Sequence, residues 1–170
     1  MSYENDRDET DVVFVIGSKS DRSFFDDSKA GEILTKCGVD WELSICSTHR
    51  NEPDLNTLVF RHPMAVYVTG AGMAAQLAGS IAAKTGALVP VIGVALPSAE
   101  FPNAMDALLS LTRMPPGTPV LCAGIGKPGF VNAAIAACQI VGVAREEVRE
   151  ALRKYREESN PPAQMGVARG

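Results

Sequence analysis

Val89-Pro90-Val91-Ile92-Gly93-Val94-Ala95-Leu96 is apolar at successive positions instead of alternate ones. A strand with one wet face reads apolar at every second residue, so this run belongs to a sheet covered on both faces. Four other short runs share its character: VVFVI at 12–16, WELSIC at 41–46, MAVYVT at 64–69 and PVLCAGI at 119–125. Segments with helical spacing separate them. Phe24, Phe25, Ala30, Ile33 and Leu34 precede a Cys37-Gly38 stop, and an Ala-rich stretch at 73–84 begins just after Gly72. A β-α order joined by right-handed crossovers predicts a three-layer α/β/α, flavodoxin-like parallel sheet of about five strands in a single domain.

Further out, the segment between Asn51 and Pro63 is short for a full crossover and predicts a clipped helix. REEVREALRKYREES, from Arg145 to Ser159, puts Val148, Leu152 and Tyr155 on one stripe. It predicts a C-terminal helix whose narrow apolar face packs on a neighbouring subunit. Residues 1–10 are polar and mostly charged, and the end of the chain is rich in Pro and Gly. The expected organisation is a flexible N-terminus at 1–10, one domain at 11–158 and a flexible tail at 159–170.

With 170 residues and 46% apolar content, the chain suffices for one adequate core. It has no apolar run near the roughly 18 residues of a membrane span, and its first residues are acidic instead of basic and apolar. A soluble, unprocessed, cytoplasmic protein is expected. Cys37, Cys46, Cys122 and Cys138 lie far apart without a C-x-x-C, which reads as free thiols, at least three of them in core segments. A net charge of −4 with a pI near 5.2 argues against a nucleic-acid surface, which needs a basic patch to displace counterions. An anionic substrate must therefore be attracted locally.

Ligands of open parallel sheets bind beyond the carboxyl ends of the strands. There the sequence places Gly17-Ser18-Lys19-Ser20-Asp21, Ser47-Thr48-His49-Arg50, Gly70-Ala71-Gly72 and Pro97-Ser98-Ala99-Glu100. Gly17 allows close backbone approach, and the Ser18 and Ser20 hydroxyls can donate to phosphate oxygens beside a helix start. Asp21 suits either two ribose hydroxyls or an N-terminal helix cap. Arg50 supplies a permanent planar cation for phosphate, next to His49, the one side-chain type that titrates near neutrality. His62, before Pro63, reads as a surface loop residue. Two histidines without matched spacing give no metal site. Gly70-Ala71-Gly72-Met73-Ala74-Ala75 fits a loose dinucleotide-binding pattern, but that reading needs an acid at the end of the following strand, and Glu100 sits past a proline and somewhat late. Arg113-Met114-Pro115-Pro116-Gly117 reads as a helix end with a turn, and Lys127-Pro128-Gly129 as the loop before the final core helix.

Taken in order, Gly17-Ser18-Lys19-Ser20-Asp21, Ser47-Thr48-His49-Arg50, Gly70-Ala71-Gly72-x-Ala74-Ala75-x-Leu77-x-Gly79 and Ala82-Ala83-Lys84-Thr85 resemble the N-carboxyaminoimidazole ribonucleotide mutase family, which includes the phosphoribosylaminoimidazole carboxylase catalytic subunits. Ser110-Leu111, Arg113-Met114-Pro115 and Asn132-Ala133-Ala134 extend the likeness over roughly 11 to 156. The resemblance implies a ribonucleotide substrate whose imidazole carries a carbamate on its exocyclic amine, and a product carboxylated on the ring carbon. It implies neither cofactor nor metal, and a homo-octamer. His49 matches the proton carrier, while Ser18, Asp21 and Arg50 match nucleotide-binding residues, with Ser20 and Ser47 as neighbours in the same motifs. Gly72, Ala74 and Leu77 match the loop over the base, and Gln76 within it joins the expected substrate-binding set.

The family pattern Ala-His-Leu-Pro-Gly stands here as Ala75-Gln76-Leu77-Ala78-Gly79, so a titrating side chain becomes one that cannot titrate. The related direct carboxylases also lack that histidine but usually carry Lys at the position of Arg50. The span from Arg50 to Gly70 is shorter than usual. Three readings stay open at this level: a mutase in which Gln76 keeps a hydrogen-bonding role, a direct carboxylase of aminoimidazole ribonucleotide, and a non-catalytic or re-specialised nucleotide-binding relative.

Overall fold

The five β-branched runs become the five strands of one parallel sheet in a computed structural model that describes residues 10–159. The elements are β1 (Val12–Ile16), α1 (Arg22–Ser28), α2 (Ala30–Lys36), β2 (Trp41–Ile45), α3 (Glu52–Arg61), β3 (Val66–Ala71), α4 (Leu77–Lys84), β4 (Val91–Ala95), α5 (Met105–Thr112), β5 (Leu121–Ile125), α6 (Gly126–Val141) and α7 (Glu146–Ser159). Their spatial order, β2-β1-β3-β4-β5, is flavodoxin-like. The chain reverses direction across the sheet between β1 and β3, which pair from Val12 with Val66 to Ile16 with Gly70.

Strand alternation sorts the core into two layers. Phe14, Ile16 and Val68 face α1, α2, α6 and α7, while Val13, Val15 and Tyr67 face α3, α4 and α5. All five residues of β1 are buried, as the unbroken apolar run predicts for a doubly covered sheet. Each such side chain contributes roughly 2 kcal/mol of transfer free energy. Phe25 fills the first layer between Phe14 and Phe130, with ring centroids 4.8 and 5.7 Å away in edge-on geometry. A Cβ at Gly70 would overlap the Phe130 ring, so glycine there lets α6 close down on the centre of the sheet.

Several expectations change. The segment after Asn51 is a ten-residue α3, long enough to cross the sheet, not a clipped helix. The apolar stripe of α7 is covered by its own chain. Val148 and Leu152 are buried in the first layer, against α2 and α6, and Tyr155 packs beside them. Arg145 pins the start of that helix, donating from Nη1 to both Asp11 oxygens (2.9 and 2.8 Å) and from Nη2 to Gly38 O (2.8 Å). Lys127-Pro128-Gly129 lies in the first turn of α6 and not in a loop. Proline is tolerated there because N–H groups of that turn have no intrahelical partner. Of the termini expected to be loose, 1–9 and 160–170 lie outside the described residues, and Ser159 ends α7.

His62 is buried and does not lie on the surface. It follows the last residue of α3, where its carbonyl accepts from the Tyr67 hydroxyl at 2.8 Å and its Nε2 stands 3.2 Å from Glu42 Oε1. Burial, and secondarily Glu42, pushes the Tyr67 phenol up, so it stays a donor. Tyr67→Phe is expected to cost about 1 kcal/mol, the worth of one buried hydrogen bond, read as a lower urea midpoint with unchanged slope.

Cys37, Cys46 and Cys138 are buried and Cys122 on the edge strand is exposed; all are free thiols. Among the described residues no helix is long and apolar enough to cross a membrane.

Candidate active site

The reversal of strand order opens a crevice at the carboxyl ends of β1 and β3. Gly17 N donates to Gly70 O at 2.9 Å, tying the two strand ends together, and a cavity of about 920 Å³ lies above them. It is bordered by the loops after β1, β2, β3 and β4. Ser18, Ser20, Asp21, Ser47, His49 and Arg50 all line it, as do Gly72, Ala74, Gln76 and Leu77, so the folded chain brings together the expected proton carrier and the expected substrate-binding set, while Lys19, Gly70 and Glu100 from the same strand-end segments do not line it.

The loop after β1 tightens into a single 3₁₀ turn, Lys19–Asp21, capped by Ser18. The Ser18 hydroxyl oxygen accepts from Ser20 Oγ at 2.9 Å and from Ser20 N at 3.4 Å. Asp21 stands at the start of α1 but its carboxylate caps nothing, which removes the capping alternative. Burial pushes that carboxyl up; a hydrogen bond from Ser20 (3.3 Å) and the Arg50 charge oppose the rise. A carboxylate so short of donors is suited to accept from hydroxyls of a ligand.

The loop after β2 carries His49 and Arg50, both exposed to the cavity. Asn51 closes it: its Oδ1 accepts from Ser47 N at 2.7 Å, and its own N–H donates to Ser47 O at 3.1 Å. The turn aims Arg50 back across the sheet, where Nη2 donates to Gly17 O at 2.6 Å. That places a guanidinium under the Ser18 loop, where a phosphate would need its counter-charge. The Thr48 hydroxyl, also lining the cavity, is buried without a hydrogen-bond partner among the described residues.

The loop after β3 does not begin a helix at Gly72. Met73 and Ala75 take left-handed conformations (φ 57° and 44°), and α4 starts only at Leu77. Non-glycine residues adopt that region at a cost, so the surroundings must hold them there. Ser110 of α5 donates its hydroxyl hydrogen to Ala74 O, and Ala75 N donates to Gly72 O at 3.1 Å. A Cβ on Gly72 would stand 3.0 Å from Leu96 O, a tight contact that would push the loop a few tenths of an ångström away from the end of β4. The result brings Gln76 Oε1 to 2.7 Å from His49 Nε2.

Among the described residues the cavity lining thus brings together an imidazole, a guanidinium and a set of hydroxyl and carboxylate acceptors. Among the described residues no group of three or more His, Cys, Asp or Glu is placed to hold a metal ion. Sequence reasoning gave no role to Asn51, Thr48, Phe24, Met73 or Pro102, although Thr48, Phe24, Met73 and Pro102 line the cavity and Asn51 shapes its His49 loop. Asn51 had a usable signal, since Asn before Glu-Pro marks a helix start.

A family model described as AIR carboxylase matches residues 11–161. N5-carboxyaminoimidazole ribonucleotide mutases of Pseudomonas aeruginosa and Bacillus subtilis are each 39% identical to the chain, over 85% and 86% of it and 88% and 89% of those proteins. The mutase of Pyrococcus abyssi is 38% identical over 86% of the chain and 82% of its own length. The crystal structure of Treponema denticola PurE shares the fold at a TM-score of 0.67 and 22% identity, covering 87% of this chain and 90% of that one. A sheet whose strand ends collect these motifs in one cavity, and a family match spanning the whole described domain, give one conclusion: the chain belongs to the AIR carboxylase family.

Proposed function

We propose that this protein converts N-carboxyaminoimidazole ribonucleotide to 4-carboxy-aminoimidazole ribonucleotide in de novo purine biosynthesis, as an isomerase whose catalytic domain is 11–158. The observation that carries the reading is the placement of His49 and Arg50, adjacent in one loop, against the Ser18 to Asp21 turn in a single cavity. The mutase names of relatives 38–39% identical support it. Arg50, where direct carboxylases usually carry Lys, favours the mutase over direct carboxylation of the ring carbon of aminoimidazole ribonucleotide.

In this reading Arg50, Ser18 and Ser20 hold the phosphate, Asp21 accepts from the ribose hydroxyls, and Ser47 supports the turn beneath His49. Gly72, Ala74, Gln76 and Leu77 form the wall over the base. Protonated His49 gives its proton to the exocyclic nitrogen as the carbamate N–C bond breaks and its electron pair returns to that nitrogen. The released carbon dioxide stays in the cavity and the ring carbon attacks it. Neutral His49 then takes the proton from that carbon, restoring the aromatic ring and the imidazolium, so no proton is consumed overall.

A homo-octamer is part of the proposal. Supporting it, the edge strand β5 leaves Leu121 52% and Ile125 37% exposed, and Met105 and Leu109 of α5 are likewise uncovered in the single chain. Cytoplasmic placement draws support from the free thiols, and the absence of a nucleic-acid partner from the net charge of −4. The test is an absorbance assay of the purified protein with the carbamate ribonucleotide, beside aminoimidazole ribonucleotide plus bicarbonate. Conversion of the carbamate without added bicarbonate is expected; activity with bicarbonate alone would replace the mutase by the carboxylase.

A further inference from the structure

His49 and Arg50 stand in a turn whose two ends are clamped to each other. Ser47 N donates to Asn51 Oδ1 at 2.7 Å, and Asn51 N donates back to Ser47 O at 3.1 Å. Asn51 begins α3, and at such a position the side-chain oxygen ordinarily accepts from an N–H of the first helical turn; here it is spent on Ser47 N instead. The orientation of the amide is fixed by its own contacts. Nδ2 donates to Asp54 Oδ2 at 3.0 Å and to Cys46 Sγ at 3.5 Å, which uses both amide hydrogens. Turned over, the group would set N–H against the Ser47 N–H and oxygen against the Asp54 carboxylate. The buried Cys46 thiol donates in turn to Asn51 O at 3.7 Å, tying this end of the turn to the core.

We propose that Asn51 is a positioning residue: its side-chain amide, oriented by Asp54, sets where His49 stands in the cavity. This deepens the mutase reading, and its kinetic part rests on it. The two residues of the loop depend on the clamp unequally. Arg50 has an anchor outside the turn, Gly17 O at 2.6 Å, whereas the His49 backbone N–H donates within the turn, to Ser47 Oγ at 3.4 Å. Loosening the clamp therefore displaces the imidazole more than the guanidinium. Proton transfer is steeply sensitive to such displacement, with about 1 Å costing up to roughly 10²-fold, while phosphate binding through Arg50 is not. Asp54, exposed on the first turn of α3 and remote from the proton chemistry, thereby acts on His49 through Asn51.

The test exchanges donor and acceptor across the pair. Asn51→Ala is expected to lower kcat for the carbamate ribonucleotide about tenfold with KM changed less than about threefold. Asn51→Asp combined with Asp54→Asn rebuilds the clamp with its polarity reversed: the carboxylate at position 51 accepts from Ser47 N and from the amide at position 54. It is expected to bring kcat back to within about threefold of the unaltered protein. Asp54→Ala, an exposed change that leaves the Ser47 bond in place, should fall between, and it carries the test if Asn51→Ala does not fold. Position is read without turnover as well. The chain has two histidines, so ¹³C-histidine-labelled protein gives two sets of ring signals, which His49→Asn assigns. Asn51→Ala should shift or broaden those of His49 and leave those of His62, and the paired exchange should return them. Unmoved His49 signals with kcat within twofold of the unaltered protein, or a loss of kcat that the paired exchange does not recover, overturns the proposal. Failure of the mutase reading would show separately, as no conversion of the carbamate by the unaltered protein, and the ring signals would still decide whether Asn51 places His49.

Discussion

His49→Asn is expected to lower conversion of the carbamate ribonucleotide by about 10³-fold, a barrier increase of about 4 kcal/mol. Asparagine keeps polarity and can still hydrogen-bond Gln76, but it cannot hold and release a proton near neutral pH. The two proton transfers of the proposed cycle then fall to water. Binding should survive: Arg50 meets Gly17 O and the Ser18 turn is closed by its own hydroxyls, neither through the imidazole. Nucleotide affinity by calorimetry is therefore expected within about threefold of the unaltered protein, and stability within about 0.5 kcal/mol, since the ring is exposed. A variant that turns over within tenfold of the parent would move the proton chemistry elsewhere, and the Asp21 carboxyl on the cavity wall is the candidate among the described residues to receive it.

The parts of this molecule legible in the sequence are those governed by local chemistry. The uninterrupted run at Val12–Ile16 declares a doubly covered strand because any solvated face would have to be polar, and all five residues are buried. Residues after such strands gather at one edge by topology alone, so Ser18, His49 and Gly72 could be placed together without coordinates. What stayed hidden depends on tertiary contact. His62 before Pro63 looks like a loop residue, yet Glu42 and Tyr67 make a place for it beneath the sheet. The stripe of α7 looks like an interface because it is narrow, and α2 and α6 use all of it. The delayed start of α4 is illegible because Met73 and Ala75 have no sequence signature for left-handed backbone; Ser110, far along the chain, holds the turn. For the same reason the departure at Gln76 could be seen in the sequence, while its contact with His49 could not.

Arg50→Ala is expected to weaken binding of a 5′-nucleotide by about 2 kcal/mol, roughly thirtyfold, in isothermal calorimetry. The guanidinium spends one N–H on Gly17 O and keeps its remaining donors beneath the Ser18 turn, where no other Lys or Arg among the described residues lines the cavity. In a chain of net charge −4 a cation on the cavity wall helps to offset the field a phosphate meets on entry. Arg50→Lys should recover only part of the loss, because an ammonium restores charge but cannot reach Gly17 O and a phosphate with one planar fork. Repeating the titration with the nucleoside separates the cause. If Arg50 acts through phosphate, parent and variant should bind the nucleoside alike; an equal loss for both ligands would mean that the Gly17 contact merely shapes the loop. Asp21 supplies a second signature. Burial pushes its carboxyl up and Arg50 opposes that rise, so removing the cation should send it higher. As pH is lowered, the variant should therefore lose the Asp21 acceptor, and with it the ribose part of the affinity, at a higher pH than the parent does.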